Sequence, residues 1–152
     1  MNKKTLEKYK RQIRKDAPNI FNIPIENQTP ELCIYAININ PWAFQYITNQ
    51  TPEICKRAIE ENPWMIEYVK DQTEELCKLA IKLLPYSIKF IKEQTEELCK
   101  LAIKLDARCI HYVKNQTEEI CILAVKKDKM SIHNIDKDKF PQAHEYWRLL
   151  YE

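Results

Sequence analysis

Glycine does not occur anywhere in the 152 residues. Phosphate-cradling loops, dinucleotide fingerprints and nucleophile elbows use glycine where backbone must approach closely or take a positive φ. Their usual forms are therefore excluded. Corners must be turned with Asn, Asp and Pro, which suits short helices better than tight hairpins. Histidine is scarce as well: His111, His133 and His144 are the complete set, with no cysteine or carboxylate at ligand spacing beside them. No Ser-His-Asp, Cys-His or paired-carboxylate arrangement can be argued, so neither an enzyme, a metal nor a cofactor is expected. Long apolar runs are missing too, since none approaches the roughly 18 residues that span a bilayer. The opening MNKKTLEKYKRQIRKD is basic with no apolar stretch behind it, unlike a secretory signal. An intracellular, cytoplasmic location is the expectation, with the six cysteines as reduced thiols.

What the chain does contain is a repeat. Gln28, Gln50, Gln72, Gln94 and Gln116 recur at a constant step of 22, and QTEELCKLAI stands unchanged at residues 72–81 and 94–103. A period in this range signals stacked supersecondary units. After each Gln comes Thr, and two residues further on Glu. Leu or Ile follows, then Cys33, Cys55, Cys77, Cys99 or Cys121, and later an Ala. Thr is a good N-cap, Pro30 and Pro52 suit the first helical position, and the Glu meets the positive end of the helix dipole. In the third repeat Leu76, Cys77, Ala80 and Ile81 make one apolar face.

A second helix opens at Asn40-Pro41, Asn62-Pro63, Leu84-Pro85, Asp106-Ala107 and Asp128-Lys129, with Ile88, Phe90 and Ile91 pointing inward in the third repeat. Each repeat thus reads as a pair of antiparallel helices of about eight or nine residues, about 13 Å long. SIKFIKE and MIEYVKD alternate as strands would, but the helix caps and the missing L-x-x-L-x-L-x-x-N pattern disfavour a leucine-rich repeat. The expected fold is all-α, a solenoid of five helix pairs forming one domain. Residues 1–27 supply a basic N-terminal cap, 28–137 the repeats, and 138–152 a C-terminal cap helix. There Ala143 takes the cysteine's place, and Tyr146, Trp147, Leu149 and Leu150 close the core.

The unit Q-T-x-E-[LI]-C-x-x-A-[IV]-x₃-P-x-x-I-x-[YF]-[IV] resembles a short helical-repeat family known only as a domain of unknown function, common in giant viruses of amoebae and present in some bacteria. The resemblance implies an all-helical array within a cell, here the host cell of a virus, without established chemistry.

The five periodic cysteines lie on the apolar helix face, and stacked repeats place them too far apart for disulfides or a shared zinc. They read as packing groups. Cys109, outside the series, reads the same way. The repeated Gln reads as a ladder of amides bonding backbone between repeats. Variable positions carry the candidate binding surface: Trp42, Trp64, Tyr86, Arg108 and Met130, with Gln45, Glu67, Lys89, His111 and His133 three residues later on the same helix face. These side chains either shield the seam between repeats or contact a partner, and Trp, Tyr, Arg and Met are enriched at interfaces. Residues 1–27 hold a net +4 of the chain's total +2, so Lys8, Arg11, Arg14 and Lys15 are candidates for an anionic contact. The favoured expectation is an adaptor or scaffold binding another protein. A nucleic-acid module, with Trp42, Trp64 and Tyr86 stacking bases, is one alternative; a self-associating homo-oligomer is another. No membrane is expected as partner.

Overall fold

The structure, a computed structural model, describes residues 2–152. Among the described residues every regular element is helical and no strand occurs. The α-helices are α1 (Lys3–Lys15), α2 (Pro30–Ile39), α3 (Pro52–Glu61), α4 (Glu74–Leu83), α5 (Glu96–Leu105), α6 (Glu118–Lys127) and α7 (Pro141–Tyr151). Between them lie 3₁₀ helices: η1 (Ala17–Asn22), η2 (Ile25–Asn27), η3 (Pro41–Tyr46), η4 (Pro63–Tyr68), η5 (Pro85–Phe90), η6 (Ala107–Tyr112) and η7 (Lys129–Asn134). None of the described α-helices is long and apolar enough to cross a membrane.

The first helix of each repeat begins just after its Thr, and in four of the five repeats the Thr hydroxyl caps it; Thr29 makes no such bond. Thr51, Thr73, Thr95 and Thr117 accept from the backbone N–H three residues on, at 3.3–3.4 Å. The second element differs from expectation. It is a six-residue 3₁₀ helix, not a second α-helix of eight or nine residues. So short a segment closes more i→i−3 bonds than i→i−4 bonds, and 3₁₀ geometry satisfies its backbone better. Side chains three apart eclipse in that geometry, so Phe44 with Ile47, Ile66 with Val69, Ile88 with Ile91 and Ile110 with Val113 are buried in pairs. Phe90, expected inside, is only partly buried, and Ser87 is buried instead. Asn40, Asn62, Asp106 and Asp128 cap the 3₁₀ helices by accepting from the N–H two residues on, at 2.9–3.1 Å. Leu84 makes no such bond.

The chain forms two compact units, residues 1–76 and 77–152. In the first, α1 and η1 repeat the α/3₁₀ pairing, with Ile13 and Ile20 buried beside Ile37 and Phe44. Asp16 precedes Asn40 by 24 positions, so two residues exceed the period, and η2 takes up the slack. Lys10 Nζ in α1 meets Glu31 in α2 at 2.7 Å. In the second unit the equivalent Lys100 in α5 meets Glu119 in α6, also at 2.7 Å. The Glu118 carboxylate accepts from Gln142 N and Ala143 N, both at 3.1 Å, and so caps α7. Ala143 is buried, while Trp147 Nε1 donates to Lys129 O at 3.1 Å. Leu149 and Leu150 do not close the core as expected: they expose 74% and 54% of their surface, because α7 packs through Ala143, Tyr146 and Trp147.

Candidate interaction surface

The variable positions sit on the 3₁₀ helices η3 to η7, and in all but η5 an Asn or Asp cap fixes where the next side chain emerges. In the N-terminal unit, Trp42 and Trp64 emerge two residues after Asn40 and Asn62, and remain 41% and 45% exposed. Trp42 sets its edge against Tyr68 at 6.2 Å between centroids. Gln45 folds back, donating to Trp42 O at 3.1 Å, and Glu67 is exposed.

In the C-terminal unit, Tyr86 is half-buried, with its ring 5.7 Å from Tyr112 and Arg108 stacked over it at 5.6 Å. Asp106 holds Arg108 through Nε and Nη2 at 2.7–3.2 Å. The bonds from Arg108 outweigh partial burial and keep the Asp106 carboxyl below its ordinary range. Lys89 lies over Phe90 and Tyr112, at 5.5 and 5.8 Å from the ring centres. His111 packs on Tyr112 at 5.0 Å and meets Asn134 Oδ1 through Nδ1 at 3.2 Å. Met130 and His133 are exposed.

These positions therefore have two roles. Trp42 and Tyr86 set their rings edge-on to the last ring of the following 3₁₀ helix, Tyr68 and Tyr112, while Trp42 keeps 41% of its surface exposed.

One column of exposed residues has no place in the sequence reading. At the last residue of α2 to α6 stand Ile39, Glu61, Leu83, Leu105 and Lys127, and Ile39, Leu83 and Leu105 leave 43–50% of their surface exposed. The signal was present as a repeat column, but a leucine on a 3.6 period is ordinarily read as core.

The cysteines are buried and form no disulfide among the described residues. Burial pushes the Cys33 thiol up to about 11 and those of Cys109 and Cys121 to about 12. Such thiols are poor nucleophiles. Among the described residues no group of three His, Cys, Asp or Glu side chains could hold a metal. On α1, Lys8, Arg11, Arg14 and Lys15 are exposed, Arg14 lying 3.8 Å from Glu7. Lys10 instead spans to α2. In the N-terminal unit a groove of about 840 Å³ runs past Gln50, Glu53, Cys55, Lys70 and Leu76; burial raises the Cys55 pKa, so the groove offers no activated thiol.

No protein-family model, curated protein or solved structure matches the chain.

Proposed function

We propose that the chain is a helical-repeat adaptor without catalytic activity, a solenoid of five 22-residue units that works inside cells and binds another protein through its turns and 3₁₀ helices. The observation that carries this reading is the exposure of large apolar side chains at every repeat's turn. Ile39 and Trp42, then Trp64, Leu83, Leu105 and Met130 lie in water, although each repeat has its own buried core. Anchors of this kind contribute much of the affinity at protein interfaces. The test replaces Trp64, Tyr86 and Arg108 together by Ala and measures binding to a partner isolated with the native chain. Binding should fall with the circular dichroism unchanged. Unfolding of the variant would show these residues to be packing groups and would remove the site.

A nucleic-acid reading is favoured by one feature: Lys3, Lys4, Lys8, Arg11 and Lys15 are all exposed on α1. It requires single-strand affinity that falls steeply with salt and weakens when Lys8, Arg11 and Arg14 are replaced.

A further inference from the structure

The turns of the C-terminal unit pair each exposed apolar residue with cations. Lys82-Leu83 ends α4, Lys104-Leu105 ends α5, and Lys126-Lys127 ends α6 just before Met130. All of these side chains are exposed. No carboxylate lies within ion-pair distance of Lys82, Lys104, Lys126 or Lys127 among the described residues, and Lys126 lies over the Tyr146 ring at 5.2 Å. The acids at the same turns are already committed: Asp106 to Arg108 and to the cap of η6, and Asp128 to the cap of η7. The Glu96-Glu97 and Glu118-Glu119 pairs stand at the opposite ends of α5 and α6, which for ten-residue helices is about 15 Å away. The helix dipole accounts for cations at C-termini. It gives no reason to leave Leu83 and Leu105 in water beside them.

The N-terminal unit lacks this edge. At the same positions it has Asn38-Ile39 and Glu60-Glu61, and Arg57 is spent on Asn38 Oδ1 at 2.8 Å and Glu61 at 2.5 Å.

From this we infer that the edge carrying Lys82, Leu83, Lys104, Leu105, Lys126 and Lys127 docks an acidic protein segment with regularly spaced apolar side chains. The inference rests on the adaptor reading and specifies its partner. Packed helices lie about 8–10 Å apart, and an extended chain in the polyproline-II conformation advances about 9 Å in three residues and brings every third side chain to the same side. The fitting ligand is thus an extended segment with an aliphatic residue at every third position and carboxylates between. Nucleic acid fits less well, because its phosphates satisfy the lysines but leave Leu83, Leu105 and Met130 without an apolar partner. A lipid surface would have to dehydrate the Asp106 and Asp128 carboxylates in the same turns, at a cost.

The test uses the full chain and labelled peptides of Glu-Glu-Leu, Glu-Glu-Ser, Gln-Gln-Leu and Lys-Lys-Leu triplets, read by fluorescence anisotropy. Phosphatidylserine vesicles and a single-stranded oligonucleotide are run beside them. Glu-Glu-Leu should bind at least about tenfold tighter than the other peptides and weaken as salt rises from about 50 to 500 mM. Lys104→Glu with Lys126→Glu, and separately Leu83→Asn with Leu105→Asn, should each lower affinity about tenfold or more with helicity intact. The peptide ranking needs no variant, so a variant that fails to fold does not decide the matter. Equal binding of Glu-Glu-Ser, or preference for Gln-Gln-Leu or Lys-Lys-Leu, overturns the acidic-apolar partner and leaves the adaptor reading standing. Binding of vesicles or oligonucleotide with no peptide bound overturns both. Absence of binding to every probe overturns the inference.

Discussion

Gln94 and Tyr112 are 18 residues apart in the chain, and Gln94 Nε2 donates to the Tyr112 carbonyl at 3.1 Å. The same amide nitrogen donates to Ile88 O at 2.8 Å, and its oxygen accepts from Lys114 N at 2.9 Å. One side chain thus fastens η5 to the end of η6. Gln116 does the same between Ile110 O and Asn134 O, and in the N-terminal unit Gln50 bonds Tyr68 O and Lys70 N. Tyr68, Tyr112 and Asn134 are the last residues of their 3₁₀ helices, and Lys70 and Lys114 lie two residues past an end, so the amide supplies partners that the helix does not.

Replacing Gln94 by Leu should therefore destabilise the protein by about 2–4 kcal/mol, since three backbone groups lose a partner at once. Gln94→Glu tests the chemistry more sharply. Its carboxylate would face the Ile88 and Tyr112 carbonyls, which disfavours the charged form and raises the folded pKa above the unfolded value near about 4.3. Such a variant should be weakest at neutral pH and regain stability on acidification through its folded pKa. An unchanged urea midpoint in Gln94→Leu would remove the ladder role.

The thiols predict a response at the alkaline end. Burial raises the pKa of Cys33 to about 11 and of Cys109 and Cys121 to about 12, from an ordinary 9.0. A thiol raised in this way stabilises the fold fully below its unfolded pKa, and that contribution is lost as pH climbs from 9 toward the folded values. The urea midpoint should fall across that window, and less steeply in Cys109→Ala with Cys121→Ala. Native thiol labelling at neutral pH should be slow and become fast on denaturation. Rapid native labelling of Cys33 or Cys121 would contradict their role as packing groups.

Much of this architecture was readable beforehand because the caps are local. A Thr two residues before Glu fixes the start of an α-helix, and Asn40, Asn62, Asp106 and Asp128 mark the turn that follows. Helix type in the second element was not readable in the same way. Ile88, Phe90 and Ile91 suit an α-helical face, and only the Ile88–Ile91 spacing of three, repeated as Ile110–Val113 and Ile132–Ile135, betrays the 3₁₀ form. The surface was half legible. Trp42, Trp64 and Arg108 announced themselves by variability of type, whereas Leu83 and Leu105, on a 3.6 period, carry no mark that sets them apart from core. Nothing within one repeat tells a leucine at a helix C-terminus that no neighbouring helix will cover it.

Two core hydroxyls should be dispensable. Ser87 and Ser131 are buried, and neither Oγ has a hydrogen-bond partner. Their counterparts Ala43, Met65 and Cys109 fill the same place without a hydroxyl group and are equally buried. Removing an unsatisfied buried hydroxyl recovers its desolvation cost, so Ser87→Ala and Ser131→Ala should each stabilise by about 1 kcal/mol. Chemical denaturation of the two variants measures this directly. A loss of stability in both would mean that the hydroxyls are satisfied in solution.

The missing cap at Leu84 gives the last test. Its backbone, φ −148° and ψ 103°, matches that of Asn62 at −152° and 109°. Asn62 Oδ1 accepts from Trp64 N at 3.1 Å, while at Leu84 no side chain caps η5. An Asn in this conformation needs no backbone adjustment, and its oxygen would reach Tyr86 N. Caps of this type contribute about 0.5–2 kcal/mol. Leu84 is only half-buried, so replacing it removes less apolar packing than replacing a core leucine would. Leu84→Asn should therefore raise the melting temperature, and Asn62→Ala should lower it by a comparable amount. If Leu84→Asn lowered the melting temperature as much as Asn62→Ala, packing at the turn would outweigh capping there, and the Asn and Asp of the other repeats would need another explanation.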